Sequence, residues 1–147
     1  MKRLLGFLVL LVLLIGCGCI GQKPEESGEK TIELSVDTLK TLTYTTITTP
    51  DPHLEATIEY GGVLLKDVLD AFNVKGAEEV KIVAKDGYTV VIRTEDLDLG
   101  ILVAYMADGQ EIPDDTGGPM KVIFSEEAQK VYGPENWVWW ITKLETS

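Results

Sequence analysis

Cysteine is nearly absent from this 147-residue chain, and the two that occur, Cys17 and Cys19, sit close to the N-terminus. Everything after them lacks both a disulfide of its own and a thiolate to offer a metal. Histidine is scarcer still, with His53 alone. A zinc site of the His and Cys type needs three or four such ligands, so no such site can be built. Positive charge is also in short supply: 13 Lys and Arg face 24 Asp and Glu, for a formal net charge of −11. Nucleic acids require a basic footprint, which excludes them as partners. The acidity also disfavours anionic ligands unless a local basic pocket exists, and its simplest use is to keep a domain soluble near a membrane surface. Long apolar runs are missing too. Leu4 to Ile15 is almost wholly apolar, but about 20 such residues are needed to span a bilayer.

What is present at the N-terminus is a short basic region, Met1-Lys2-Arg3, followed by that apolar run. The pair fits a secretory signal peptide. Leu14-Ile15-Gly16-Cys17 closes it and resembles the lipobox of prokaryotic lipoproteins. The resemblance implies cleavage before Cys17 and a lipid on its sulfur. Cys19 is the second candidate, with Gly16 rather than a large aliphatic residue three positions before it; an uncleaved N-terminal anchor is the alternative. Either way the domain is expected outside the cytoplasm of a prokaryote, held to the cell membrane. The expected organisation is a signal peptide over residues 1–16, a flexible tether over 17–30, rich in Gly, Pro and Glu, and one globular domain over 31–147.

Within that domain, Ile32, Leu34 and Val36 alternate as a strand, and Asp37 is placed to cap one helical turn through Leu42. The Thr-rich run Thr43 to Thr49 favours a strand, with Pro50-Asp51-Pro52 breaking it. Leu54, Ala56, Ile58 and Tyr60 alternate again, and Gly61-Gly62 is expected to make a tight turn. Leu64, Leu65, Val68, Leu69 and Phe72 have helical spacing. Val80, Ile82 and Ala84, then Tyr88, Val90 and Ile92, form a hairpin about Asp86-Gly87. Thr94 is placed to cap a short turn. Ile101 to Met106 and Met120 to Phe124 read as strands, with a turn at Asp108-Gly109. The segment SEEAQKVYGPEN is loop or a helical turn, and Trp137 to Leu144 is the expected last strand, with Trp137 and Trp139 on one face and Trp140 on the other. The sum is an α+β domain, mostly β, of short strands with one main helix.

Four segments in order, GGVLLKDVLDAFNV, a DGY hairpin, ILVAYMADGQEIPDDTGGPMKVIF and WVWWITKLE, resemble the oxidoreductase molybdopterin-binding domain of the sulfite-oxidase superfamily. Its members carry a GVPLxDLL-type helix, a DGY hairpin, an LAYxxxGxPLPxxxGGPLRLV segment and a VKWLxxIE-type strand. The resemblance covers Tyr60 to Glu145. It implies a mostly β fold, and in catalytic members a molybdenum held by a cysteine thiolate, with the pterin phosphate held by cationic side chains. This chain departs at those points. The neighbourhood of the expected cysteine reads TITTPDPH. The lysine of VKWL is Trp139, and the arginine of GGPLRLV is Lys121, which keeps charge but not the bidentate fork.

The resemblance therefore implies a cleft lined by Tyr88, Tyr105, Gly117, Gly118, Lys121 and Trp139, with Gly117-Gly118-Pro119 a fold-specifying turn at its rim. The expected function is a non-catalytic module binding a small ligand or an envelope protein, with no cofactor and no metal. A molybdopterin-dependent oxidoreductase or electron-transfer component, holding its cofactor without a protein cysteine, is the alternative. His53 reads as a solvated loop residue, and Asp114 and Asp115 as solvated loop-tip acids.

Overall fold

The structure, a computed structural model, describes residues 30–147. The expected signal peptide, the lipid-attachment cysteines Cys17 and Cys19, and nearly all of the tether lie outside the described residues. The described residues form two antiparallel sheets and three short α-helices. The first sheet has the order β1-β9-β4-β5, with β1 Lys30–Glu33, β4 Glu79–Ala84, β5 Thr89–Arg93 and β9 Ile141–Thr146. The second has the order β2-β3-β6-β7, with β8 also paired to β6. Its strands are β2 Thr45–Asp51, β3 Ala56–Leu64, β6 Ile101–Ala107, β7 Gln110–Glu111 and β8 Lys121–Phe124. The fold is α+β and mostly β, as the patterning predicts.

The local reasons are visible in the burial. In β4, Val80, Ile82 and Ala84 are buried while Glu79 and Lys81 are exposed, the period of two that a half-buried strand shows. In β6, Ile101 to Tyr105 are buried without alternation, the pattern of a strand covered on both faces within the core, while β3 and β8 pair with its two edges. The main helix, α2 Leu65–Ala71, buries Leu65, Val68 and Leu69 on one stripe. One buried cluster joins side chains from both sheets and all three helices. The turns at Asp86-Gly87 and Asp108-Gly109 fall where the sequence puts them.

Six expectations are overturned. Gly61-Gly62 is no turn: β3 runs through it, paired with β2 on one side and β6 on the other, with a register shift against β6. A Cβ on Gly62 would collide with the carbonyl of Val103, so these glycines allow close backbone approach rather than reversal. Pro50-Asp51 does not break β2, which continues to Asp51. That strand lies at the sheet edge, where a missing N–H costs little. The first strand ends at Glu33, and Ser35, not Asp37, caps helix α1 Val36–Leu39 by accepting from Thr38 N. Thr94 caps nothing. Its hydroxyl donates to the carbonyls of Ala77 and Glu78, ahead of a 3₁₀ helix over Thr94–Leu99. Finally, the last strand starts at Ile141. Trp137 to Trp140 is irregular chain, so a two-face division of the tryptophans does not apply. The segment SEEAQKVYGPEN resolves into α3 Glu126–Gln129 and a 3₁₀ turn over Pro134–Asn136.

Candidate functional site

A groove of about 300 Å³ is lined by His53, Asp86, Tyr88, Pro134, Glu135, Trp137, Trp139 and Trp140. Three separate pieces of chain build it. The β4–β5 hairpin supplies Asp86 and Tyr88, the β2–β3 turn supplies His53, and the stretch before β9 supplies the rest. Each piece is fastened to another. The Tyr88 hydroxyl donates to the carbonyl of Glu135. His53 Nε2 donates to the carbonyl of Pro134 at 2.8 Å, which sets that nitrogen as the protonated one. His53 itself is held by Asp51, whose Oδ1 accepts from the backbone N–H of His53 at 2.8 Å and of Leu54 at 3.1 Å, a side-chain turn of the kind Asp favours.

Trp140 has φ 58°, a conformation unusual for a bulky residue that costs on the order of 1–3 kcal/mol. Bonds from neighbouring chain hold it there. Its backbone N–H donates to Gly117 O at 2.9 Å, its carbonyl accepts from Lys85 N at 2.8 Å, and its indole N–H donates to Asp114 O at 2.8 Å. The resulting kink stands the rings of Trp139 and Trp140 at 88° to one another, 5.8 Å between centroids. The His53 ring meets Trp139 at 73° and Trp137 at 66°. Trp137 is nearly fully buried, and its indole nitrogen is without a partner among the described residues.

Beneath Trp139 lies an ion pair with both side chains 0% exposed: Lys121 Nζ is 3.3 Å from Asp51 Oδ2. The ammonium also donates to Thr116 O at 3.1 Å and lies 5.0 Å from the ring centroids of Tyr60 and Trp139. The Tyr60 hydroxyl donates to the same Asp51 oxygen at 2.5 Å. Burial pushes the Asp51 carboxyl up, but the Tyr60 bond, the Lys121 charge and the two backbone N–H groups together hold it below its ordinary value. Burial pulls Lys121 below its ordinary value, with Asp51 restoring part. Burial and Asp51 push the Tyr60 hydroxyl far above the usual phenol range. At neutral pH the arrangement is an ionised, internally compensated pair.

Of the six residues expected to line the cleft, only Tyr88 and Trp139 line the groove. Lys121 is sealed behind Trp139 and is not available to a ligand. Gly117 and Gly118 back the wall. Gly117 has φ 105°, and a Cβ there would lie 2.7 Å from Trp139 Cγ. A Cβ on Gly118 would strike the carbonyl of Ile112, and the Gly118–Pro119 peptide is cis. Tyr105 lies elsewhere, buried in β6 with its ring 6.0 Å from that of Tyr44. His53, read as a solvated loop residue, is exposed but forms part of the wall. Asp51, in the sequence only part of an expected strand breaker, holds the site together from beneath. Its parity with Thr49 in β2 was the available signal, since the two share the buried face. Asp114 lies at the surface with Oδ1 4.0 Å from Lys85 Nζ. Among the described residues no three His, Cys, Asp or Glu lie close enough to hold a metal ion.

A family model described as the oxidoreductase molybdopterin binding domain matches residues 50–147. Among solved structures, the sulfane dehydrogenase SoxCD from Paracoccus pantotrophus is similar, with a TM-score of 0.62 and 16% identity. The match covers 84% of this chain and 39% of that one, and at this identity it shows a shared fold. No curated protein sequence matches the chain.

Proposed function

The chain belongs to the oxidoreductase molybdopterin-binding domain family, and from that premise we propose that it is a non-catalytic member that uses the family scaffold to bind a small ligand in the aromatic groove. The observation that carries this reading is the state of Lys121. A pterin phosphate needs cationic partners; Lys121 is buried and committed to Asp51, and exposed Lys85, near Trp140, pairs with Asp114 rather than lining the groove. The rim adds Asp86 and Glu135, which repel an anion. No cysteine follows Cys19, so a soft thiolate ligand for molybdenum is missing, and hydroxyl or carboxylate oxygens do not replace it without changing the metal chemistry. The donor set does not fit molybdopterin.

What remains is a concave, aromatic-walled site near the lower end of the size range of small-molecule pockets. Its walls are tied across separate chain segments, so it is largely preformed, which limits the ordering cost of binding. A concave site favours a small ligand over a flat docking surface for an envelope protein. With the N-terminal pattern, the proposal places this module outside the cytoplasm, lipid-anchored through Cys17.

Metal analysis of the full chain isolated from its native membranes tests the reading. The expected result is molybdenum far below stoichiometric. One molybdenum per chain, with a pterin released on oxidation, would overturn it.

A further inference from the structure

We propose that the groove selects a small organic cation of the quaternary or alkylated ammonium class. This rests on the binding-module reading above and narrows it to one ligand chemistry.

The case begins with what the walls have left to offer. The Tyr88 hydroxyl, His53 Nε2 and the Trp140 indole N–H all donate to backbone carbonyls. The Trp137 indole nitrogen is buried. An anion would need donors at the groove surface: three of these are spent on carbonyls, and the fourth, the Trp137 N–H, is unpartnered but has no exposed surface. The groove is instead lined by aromatic side chains and two acidic residues. The face of an indole carries the negative lobe of its quadrupole and attracts a cation within about 6 Å. Trp139 meets Trp140 and His53 edge to face, so three aromatic side chains converge on one wall of the groove.

Asp86 and Glu135 add charge of the right sign. The Asp86 carboxylate uses Oδ1 to accept from Tyr88 N at 3.1 Å, which leaves its other oxygen available. Glu135 accepts from the Asn136 side-chain amide at 3.4 Å, and among the described residues neither carboxylate forms an ion pair with a basic side chain. The formal charge of −11 concentrates cations around the protein as a whole.

Two lysines already use these rings. Lys121 lies 5.0 Å from the Trp139 centroid and Lys85 lies 5.9 Å from that of Trp140. Neither lines the groove. Lys121 is compensated by Asp51, and Lys85 is mostly solvated, so their repulsion of a bound cation is weak. A quaternary ammonium suits the site better than a primary amine. It has no N–H to satisfy, and its methyl groups match aromatic walls.

The test is titration of the full chain with choline, with its neutral isostere 3,3-dimethylbutan-1-ol and with maltose, read by tryptophan fluorescence and calorimetry. Choline should bind saturably, at least about tenfold more tightly than the isostere, and more weakly as salt rises. Trp139→Leu should weaken choline roughly 2- to 30-fold, the range that loss of one ring contact gives. Glu135→Gln, at an exposed position, should weaken choline and leave the isostere unchanged while the fold is intact by circular dichroism. If the isostere or maltose binds as well as choline, or better, the cation proposal fails and the binding-module reading stands. If no probe perturbs the tryptophans, the cation proposal fails as well. The binding-module reading is then judged by the molybdenum content, which is measured independently.

Discussion

Replacing Lys121 with methionine and Asp51 with alanine should have unequal consequences, although the two side chains form a single ion pair. Methionine preserves the length and much of the volume of Lys121, and it leaves the Asp51 carboxylate with three donors: the Tyr60 hydroxyl and the N–H groups of His53 and Leu54. A carboxylate accepting two or three hydrogen bonds can remain charged in a buried site. The cost should therefore fall near the bottom of the range for breaking a buried pair, about 3 kcal/mol. Alanine at 51 instead strands an ammonium with one carbonyl, that of Thr116, and two ring faces. It also removes the acceptor of Tyr60 and the turn that holds His53. Each buried group left unsatisfied adds roughly 1–3 kcal/mol, so the total should exceed about 5 kcal/mol, a large share of a typical domain's stability. Urea unfolding of the full chain, followed by tryptophan emission, measures both, provided the slope is unchanged. The double variant should cost less than the two single changes added together by about 1 kcal/mol or more. Equal single costs, or additivity within about 0.5 kcal/mol, would refute the idea that Asp51 is the hub and Lys121 one of its four donors.

Other consequences are open to measurement. Because the folded Asp51 titrates below its unfolded value, its stabilisation is present above about pH 4 and lost as pH falls through the folded value. The gap in urea midpoint between the natural protein and Asp51→Asn should therefore narrow between pH 7 and pH 3, and a constant gap would contradict this. Gly61→Ala meets only the ring end of half-exposed Tyr44, whereas Gly62→Ala meets the backbone of Val103 and Ala104. Thermal melts should show the second to be clearly worse, by about 1–3 kcal/mol; similar melting temperatures would rule out close strand packing as the reason for the pair. Gly117→Ala should shift tryptophan emission as well as lower stability, because its Cβ presses on Trp139 and its φ of 105° suits glycine. Lost stability with unaltered emission would place the strain away from the groove.

The parts of the fold legible in the sequence are those fixed by short-range chemistry. The helix over Leu65–Ala71 follows from apolar spacing, and the hairpins at Asp86-Gly87 and Asp108-Gly109 follow from residues that turn readily. Misread positions were decided by neighbours distant in sequence. Gly61-Gly62 has the composition of a turn, but β2 and β6 claim its hydrogen bonds on both sides. Trp137-Val-Trp-Trp140 has the composition of a strand, but bonds from Gly117 and Asp114 to Trp140 pull it out of register. The groove was half visible for the same reason. Tyr88 and Trp139 carried family motifs, while His53 gains its role only when Asp51, Tyr60 and Lys121 meet beneath it. Lys121, by its charge, suggested a ligand contact. Its burial and its partner 70 positions away could not be read from any local pattern.

The pairing of β1 with β9 also fixes a direction. Lys30 lies opposite Thr146, and Val80 lies on the other side of that same residue, so the chain enters the described fold at the far end of β9 from Ile141. The Asp86–Tyr88 turn and the Trp139–Trp140 kink sit at the Ile141 end, roughly 17 Å away at strand rise per residue. Whatever grips the chain ahead of Lys30 therefore holds it by one pole and leaves the groove at the other. Under the proposed attachment through Cys17, the chain would thus be entered from the pole opposite the groove.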